Sequence, residues 1–240
     1  MPNIISVNQK IKSFNNKIIV PGDKSLSIRW VLLASLANGV SKAKNLLISD
    51  DVLAALNAIK KLGIRAILKN NECRIYGKGF NGYRYKKNIT INAENSGTLG
   101  RLIIGLLTNS PYPIKIIGDK SLSKRDFKRI SDPLSKFGVK LKLKKNKYLP
   151  LIISGSSNLV PIKYYEKKGS AQCKSAIIFG AMRTKGTTLI KAKKSRNHTE
   201  LLCQYLNLPI SVKKNKNYDE IKIKQVKNIK KLNYNIPSDI

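Results

Sequence analysis

The sequence predicts an α/β (α+β) fold built from three copies of a helix–strand–helix–strand–strand unit. Three observations predict it. The same order of apolar helical runs and short strand-like runs recurs three times along 240 residues. Each copy spans roughly 70 residues, and recurrence at a fixed period marks a structural repeat. Each copy also opens on a small polar helix start: Lys24-Ser25, Asn95-Ser96-Gly97 and Ser170-Ala171-Gln172. Threefold repetition brings these starts to one end of the domain, which favours a shared anion site over three unrelated caps.

The elements follow in order. Residues 1–20 read as strand, with an apolar run at 18–20 that Pro21 and Gly22 break. A helix follows with Trp30, Val31, Leu32, Leu33, Leu36 and Ala37, and Asn38-Gly39 reads as its C-cap. Residues 43–48 read as a strand. Ser49-Asp50-Asp51 opens a second helix carrying Val52, Leu53, Leu56, Ile59 and Leu62, which Gly63 ends. Residues 64–68 and 73–76 form a strand pair across Asn70-Asn71. The second copy holds a helix with Leu99, Leu102, Ile103, Leu106 and Leu107, a strand at 114–117, a helix over about 125–137 closed by Gly138, and strands at 139–143 and 149–153. In the third copy a helix runs through Ala176, Ile177, Ile178 and Ala181, with a strand at 187–190. A helix capped within 195–199 follows, then strands at 208–212 and 220–223.

The chain carries 47 Lys+Arg against 13 Asp+Glu, a formal charge of +34. Such a field suits nucleic acid. Against that, the lysines are scattered or sit in Lys/Asn-rich turns such as Lys144-Lys145-Asn146-Lys147, and no aromatic-interleaved or zinc-finger pattern accompanies them. The same field attracts small anionic substrates. An apolar fraction of 42% suffices for a packed core, and no apolar run is long enough to span a bilayer. No leader pattern stands at the N-terminus, and Cys73, Cys173 and Cys203 have no partner motif. A cytoplasmic protein with reduced thiols is expected, with no membrane partner.

The junction Pro21-Gly22-Asp23-Lys24-Ser25-Leu26-Ser27-Ile28-Arg29 sets free backbone N–H groups, a hydroxyl and two cations at a helix start. Two readings fit it: a site for a phosphate or carboxylate, or a solvated basic helix start capped by Ser.

Five ordered motifs resemble the EPSP synthase branch of the enolpyruvyl transferase family, in its class II bacterial form. They are the junction just given, Asn95-Ser96-Gly97-Thr98-Leu99-Gly100-Arg101, Gly118-Asp119-Lys120-Ser121-Leu122-Ser123-Lys124-Arg125, Gly169-Ser170-Ala171-Gln172-Cys173-Lys174-Ser175-Ala176 and Ser195-Arg196-Asn197-His198-Thr199-Glu200. The resemblance implies an enolpyruvyl-transferase-like domain of three βαβαββ units, with helices packed inside sheets. It implies that residues 1–20 belong to a second domain, that 21–236 form a complete three-repeat substrate-binding domain, and that 237–240 begin a crossover. It further implies transfer of the enolpyruvyl group of phosphoenolpyruvate to the 5-hydroxyl of shikimate 3-phosphate, with release of phosphate and without metal or organic cofactor, on the route to chorismate and the aromatic amino acids. The full-length enzyme is expected to be a monomer and a glyphosate target.

By the same resemblance, Lys24 contacts both substrates, and Ser25 and Arg29 hold shikimate 3-phosphate. Asn95 and Gly97 lie beside phosphoenolpyruvate, and Arg125 pairs with it. Ser170, Ala171 and Gln172 line the shikimate 3-phosphate pocket, and Arg196 binds its phosphate. Plain N-caps are the lesser alternative reading of Asn95 and Ser170. His198 reads as a capping or packing histidine, Lys174 as a support, and Asp50 and Asp51 as helix-start charges. No residue of this chain is expected to be catalytic: the family's acid–base Asp and Glu fall in its other half, so this chain alone is expected to bind shikimate 3-phosphate weakly and not to turn over. Two departures stand out. Glu94 occupies a position where the family has Gly, and Asn197 one where it has Asp. Alternatives are UDP-N-acetylglucosamine enolpyruvyl transferase, against which Lys24-Ser25 and Arg125 argue, and a basic nucleic-acid-binding domain.

Overall fold

Three helices carry almost no exposed face, and that decides the architecture. In the computed structural model, which describes residues 6, 8–10, 13, 15 and 20–238, α1 (Lys24–Leu36) is buried from Leu26 to its end. All of α3 (Gly97–Leu106) is buried, as is α5 (Ala171–Ala181) from Cys173 onward. A helix apolar on all sides must be enclosed. The enclosure is three four-stranded sheets.

The remaining elements are β1 (Asn38–Lys44), α2 (Asp50–Lys61), β2 (Arg65–Lys69), β3 (Glu72–Lys78), β4 (Thr90–Asn92), β5 (Ile114–Ile117), α4 (Lys128–Ser135), β6 (Lys140–Lys144), β7 (Tyr148–Ser154), β8 (Lys163–Glu166), β9 (Thr187–Lys193), α6 (His198–Tyr205), β10 (Ile210–Lys214), β11 (Tyr218–Lys224) and β12 (Tyr234–Asn235). The sheets run β12-β1-β3-β2, β4-β5-β7-β6 and β8-β9-β11-β10. In each, the first strand is parallel to the second and the other pairings are antiparallel. The second and third repeats therefore read βαβαββ. In the first sheet the leading position is filled by β12, which pairs Ala43 with Tyr234. Trp30 donates to the Leu232 carbonyl, and Asp23 N–H to the Pro237 carbonyl, so the segment after the third repeat closes on the first.

Strand alternation puts apolar residues inward and lysines outward. In β6, Leu141 and Leu143 are half-buried between exposed Lys140, Lys142 and Lys144. In β9, Ile190 and Ala192 are buried between Leu189, Lys191 and Lys193. Much of the positive charge is thus spread over the solvent faces of sheets that bury one side. Inside, α3 and α5 cross closely. A Cβ on Gly105 would sit 2.2 Å from the Ala176 carbonyl oxygen, so only glycine allows that approach.

Some boundaries differ from expectation. The strand expected at 43–48 is β1, five residues earlier, because Asn45 adopts φ +54° and ends it. Asn38-Gly39 therefore opens β1 and does not cap α1; Ala37, already extended, is the C-cap. The helix expected over 125–137 is a 3-10 turn at Leu122–Lys124 and then α4. Arg125 is extended between them, and the Asp126 carboxylate accepts from Lys128 N–H at 2.8 Å to start α4. Gly63 and Gly138 end helices at positive φ, and Asn70 and Asn71 turn the β2–β3 hairpin at φ +48° and +61°. The expectations for residues 1–19 and 239–240 lie outside the described residues, apart from isolated positions.

Candidate substrate pocket

Backbone capping decides what is free to bind at the start of α1. Asp23, buried, caps the helix by accepting from Leu26 N–H at 2.5 Å. Ser25 is therefore not the cap, and it lines a pocket of about 350 Å³ together with Arg29. This removes the reading of a Ser-capped helix start. Lys24 points elsewhere: its ammonium lies 3.2 Å from Asp51 in a half-exposed ion pair, a contact of little strength. Arg29 is 3% exposed. It donates to Thr199 Oγ1 (2.8 Å), Ser175 Oγ (3.1 Å) and the Ser25 carbonyl (3.0 Å), which knits α1 to α5 and α6. Burial holds its pKa down to about 10, with Glu200 and Asp23 opposing and Arg196 adding to the depression.

The start of α5 forms the opposite wall. Ser170 is its N-cap, accepting from Cys173 N–H at 3.3 Å, and it lines the pocket as well. The turn before it is held by Glu166, a buried carboxylate that accepts from Lys168 N–H (3.0 Å) and Ser170 N–H (2.9 Å). Gln172 is fixed at both ends by α3. Its amide donates to Thr98 Oγ1 at 3.0 Å, and its carbonyl accepts from Arg101 Nη1 at 2.5 Å. Arg196 and His198, at the start of α6, complete the rim. The His198 Nδ1 is 3.9 Å from Asp23 Oδ1. Lys174 is fully buried, 2.6 Å from Glu200, and ties α5 to α6.

Next to Gln172 lies a second cationic group. A Cβ on Gly97 would stand 2.9 Å from Arg101 Nη1 and 3.1 Å from Arg125 Nη1, so both guanidinium tips converge on that glycine. Asn95 is not a cap, since Ser96 caps α3. Its side chain instead accepts from Arg125 at 3.1 Å and donates to Asp119 at 2.7 Å. Burial holds the Arg101 pKa down to about 10, and Arg129 and Arg125 push the same way while Asp126 opposes. Arg101 Nε and Arg129 Nε are buried without hydrogen-bond partners. Repelling cations with unfilled donors form a site that an anion relieves.

Six of the ten residues singled out in the sequence, Ser25, Arg29, Ser170, Ala171, Gln172 and Arg196, line one pocket. Asn95, Gly97 and Arg125 form the adjoining group, joined through Arg101 and Gln172. Lys24 is not brought into either group: it does not line the pocket and pairs with Asp51. The departure at Glu94 is accommodated: Glu94 takes φ +49°, which explains a preference for glycine there, and exchanges hydrogen bonds with Asn92 that hold it. Sequence reasoning missed Thr98, Arg101, Arg129 and Lys168. Thr98 and Arg101 stood within a quoted motif, and Arg129 follows Arg125 by four residues, a spacing that signals a shared face only on a helix. Among the described residues no three His, Cys, Asp or Glu side chains form a metal-binding group.

Comparison with known proteins gives these features a context. A family model described as EPSP synthase (3-phosphoshikimate 1-carboxyvinyltransferase) matches residues 8–240. The 3-phosphoshikimate 1-carboxyvinyltransferase of Caldicellulosiruptor bescii is 40% identical over 233 residues, covering 95% of this chain and 53% of the relative. That of Streptococcus pyogenes serotype M2 is 44% identical over 189 residues, covering 78% of this chain and 44% of the relative. The solved EPSP synthase of Acinetobacter baumannii superposes with a TM-score of 0.86 at 31% identity, covering 93% of this chain and 50% of that one. The chain spans about half the length of the curated relatives it matches.

Proposed function

The chain belongs to the EPSP synthase family, and from that premise we propose that it forms the shikimate 3-phosphate side of an enzyme that moves the enolpyruvyl group of phosphoenolpyruvate to the 5-hydroxyl of shikimate 3-phosphate. The observation that carries this reading is the convergence of Ser25, Arg29, Ser170, Gln172 and Arg196 on one pocket of about 350 Å³. That is donor chemistry for a phosphorylated, hydroxylated ring. Arg196 and the Ser170 and Ser25 hydroxyls hold the phosphate. Ala171 and Gln172 flank the ring, and Arg29 supplies charge from below. Phosphoenolpyruvate lies beside Gly97, where the missing side chain leaves room between Arg101 and Arg125, with Asn95 holding Arg125 in place. Lys24 leaves its weak pairing with Asp51 to bridge the two substrates.

In this reading residues 21–236 are the substrate-binding domain. The acid–base carboxylates come from a second domain, and the complete enzyme works as a cytoplasmic monomer without nucleic acid. No helix among the described residues is long and apolar enough to cross a membrane. The spread of lysines over three sheet faces suits solvent better than a nucleic-acid groove. The test is phosphate release from phosphoenolpyruvate and shikimate 3-phosphate. The chain alone gives none, and mixing it with the complementary half of the Caldicellulosiruptor bescii relative restores turnover. Release by the chain alone, or none from the pair despite demonstrated association, contradicts the proposal.

A further inference from the structure

At the far end of α3 and α5 from the substrate pocket lies a separate cavity of about 230 Å³. The length of α3 puts the two about 14 Å apart at 1.5 Å per residue. Phe80, Leu106, Leu107 and Pro111 give it apolar walls. Among its polar lining groups, Tyr85, Ser110 and Arg183 each keep hydrogen-bonding capacity that the fold does not use. Arg183 donates from Nη2 to the Phe80 carbonyl, while its Nε is buried without a partner. The Tyr85 hydroxyl lies near the Ser110 hydroxyl and the Tyr112 backbone, and neither hydroxyl makes a hydrogen bond of ordinary geometry. The neighbouring groups are committed: Tyr83 to Ser35 at 2.7 Å, and Arg84 to the Asn81 and Tyr83 carbonyls.

Burial depresses the pKa of three guanidiniums in this chain, those of Arg29, Arg101 and Arg183. The first two serve the substrate pocket. Only Tyr83 and Tyr85 favour the charged form of Arg183, and no ion pair to a carboxylate is formed by it among the described residues. Arg183 is half-buried, and a cation withdrawn from water in this way gains from an anionic partner. We propose that the cavity binds a small monocarboxylic acid with an apolar body, its carboxylate on Arg183, Tyr85 and Ser110 and its body against Phe80, Leu106, Leu107 and Pro111. Arg84 also lines the cavity, but its guanidinium is already held on two backbone carbonyls; the unused donors of Arg183, Tyr85 and Ser110 between apolar walls match the two oxygens of one carboxylate. The site is independent of the enolpyruvyl reading.

The probe is benzoate, with benzamide and inorganic phosphate in parallel, titrated into the 240-residue chain and followed by amide and methyl NMR. Benzoate produces saturable shifts at the Leu106 and Leu107 methyls, and benzamide and phosphate bind there at least about tenfold more weakly. Arg183→Gln weakens benzoate by about tenfold or more. Ser110→Ala, a smaller change that keeps the fold, weakens it by about threefold and carries the test should Arg183→Gln melt early. Equal binding of benzoate and benzamide, absence of saturation, shifts centred on Ser25, Ser170 and Gln172, or insensitivity to both substitutions overturns the proposal.

Discussion

Arg101 donates from Nη1 to the side-chain carbonyl of Gln172 across 2.5 Å, and Thr98 accepts from the same amide at 3.0 Å. Two residues of α3 thus fix the rotamer and the flip of a pocket-lining residue of α5. Arg101 itself lies over the Phe127 ring, 5.2 Å from its centroid. Arg101→Lys keeps a charge but loses the planar fork, so anion affinity at this site falls about tenfold with the melting temperature little changed. The pH dependence has a definite sign. The free Arg101 pKa stands at about 10, and the anion needs the charged form. Affinity is therefore flat at neutral pH and declines as pH climbs through about 10. Calorimetric titration with phosphoenolpyruvate across that range reads both effects.

Gly97→Ala places a methyl group 2.9 Å from Arg101 Nη1 and 3.1 Å from Arg125 Nη1. Arg125 is exposed and can swing away; Arg101 is buried and cannot. In an enzyme completed with the second half of a relative, this substitution raises the phosphoenolpyruvate KM and weakens inhibition by glyphosate. The shikimate 3-phosphate KM stays within about twofold, because that pocket lies across Gln172. Steady-state kinetics with each substrate varied in turn check it.

Glu166 acts on the pocket through backbone, not through substrate. Its carboxylate satisfies the N–H groups of Lys168 and Ser170. Glu166→Ala leaves these donors unpaired, which costs about 1–3 kcal/mol and frees the turn that sets Ser170. Glu166→Gln retains one acceptor and recovers part of the loss. Urea unfolding measures the stability, and shikimate 3-phosphate titration measures the positioning.

Lys174 and Glu200 form an ion pair at 2.6 Å with side-chain exposures of 0% and 3%. Glu200→Ala strands a buried ammonium and costs about 3–5 kcal/mol. The double change Lys174→Met, Glu200→Leu restores part of that stability, because the stranded ammonium is gone while buried Arg29 still loses the Glu200 charge that favours its charged form. Denaturant melts of the three chains decide it.

Much of this was legible in the sequence because it rests on local signals. The buried helices announced themselves as apolar runs behind small polar starts, and the repeat period followed from their recurrence. The hairpin at Asn70-Asn71 and the stops at Gly63 and Gly138 were legible because left-handed backbone selects those residues. Strand boundaries were less so. Asn45 ends β1 through its own backbone angle, and β4 at Thr90–Asn92 and β8 at Lys163–Glu166 are too short to show a period of two. The bonds that orient the pocket were not legible at all. Gln172 meets Arg101 from 71 residues away, and Arg29 meets Thr199 from 170. Both pairings depend on how helices of different repeats cross, which no local pattern encodes.

The role proposed for the pocket turns on where shikimate 3-phosphate binds. An amide NMR titration of the 240-residue chain with this ligand is predicted to give weak, saturable shifts concentrated at Ser25, Ser170, Ala171, Gln172 and Arg196. Those shifts are lost on Arg196→Ala. Shifts confined to the lysine-rich outer faces of the sheets, or none at these five residues, would contradict it.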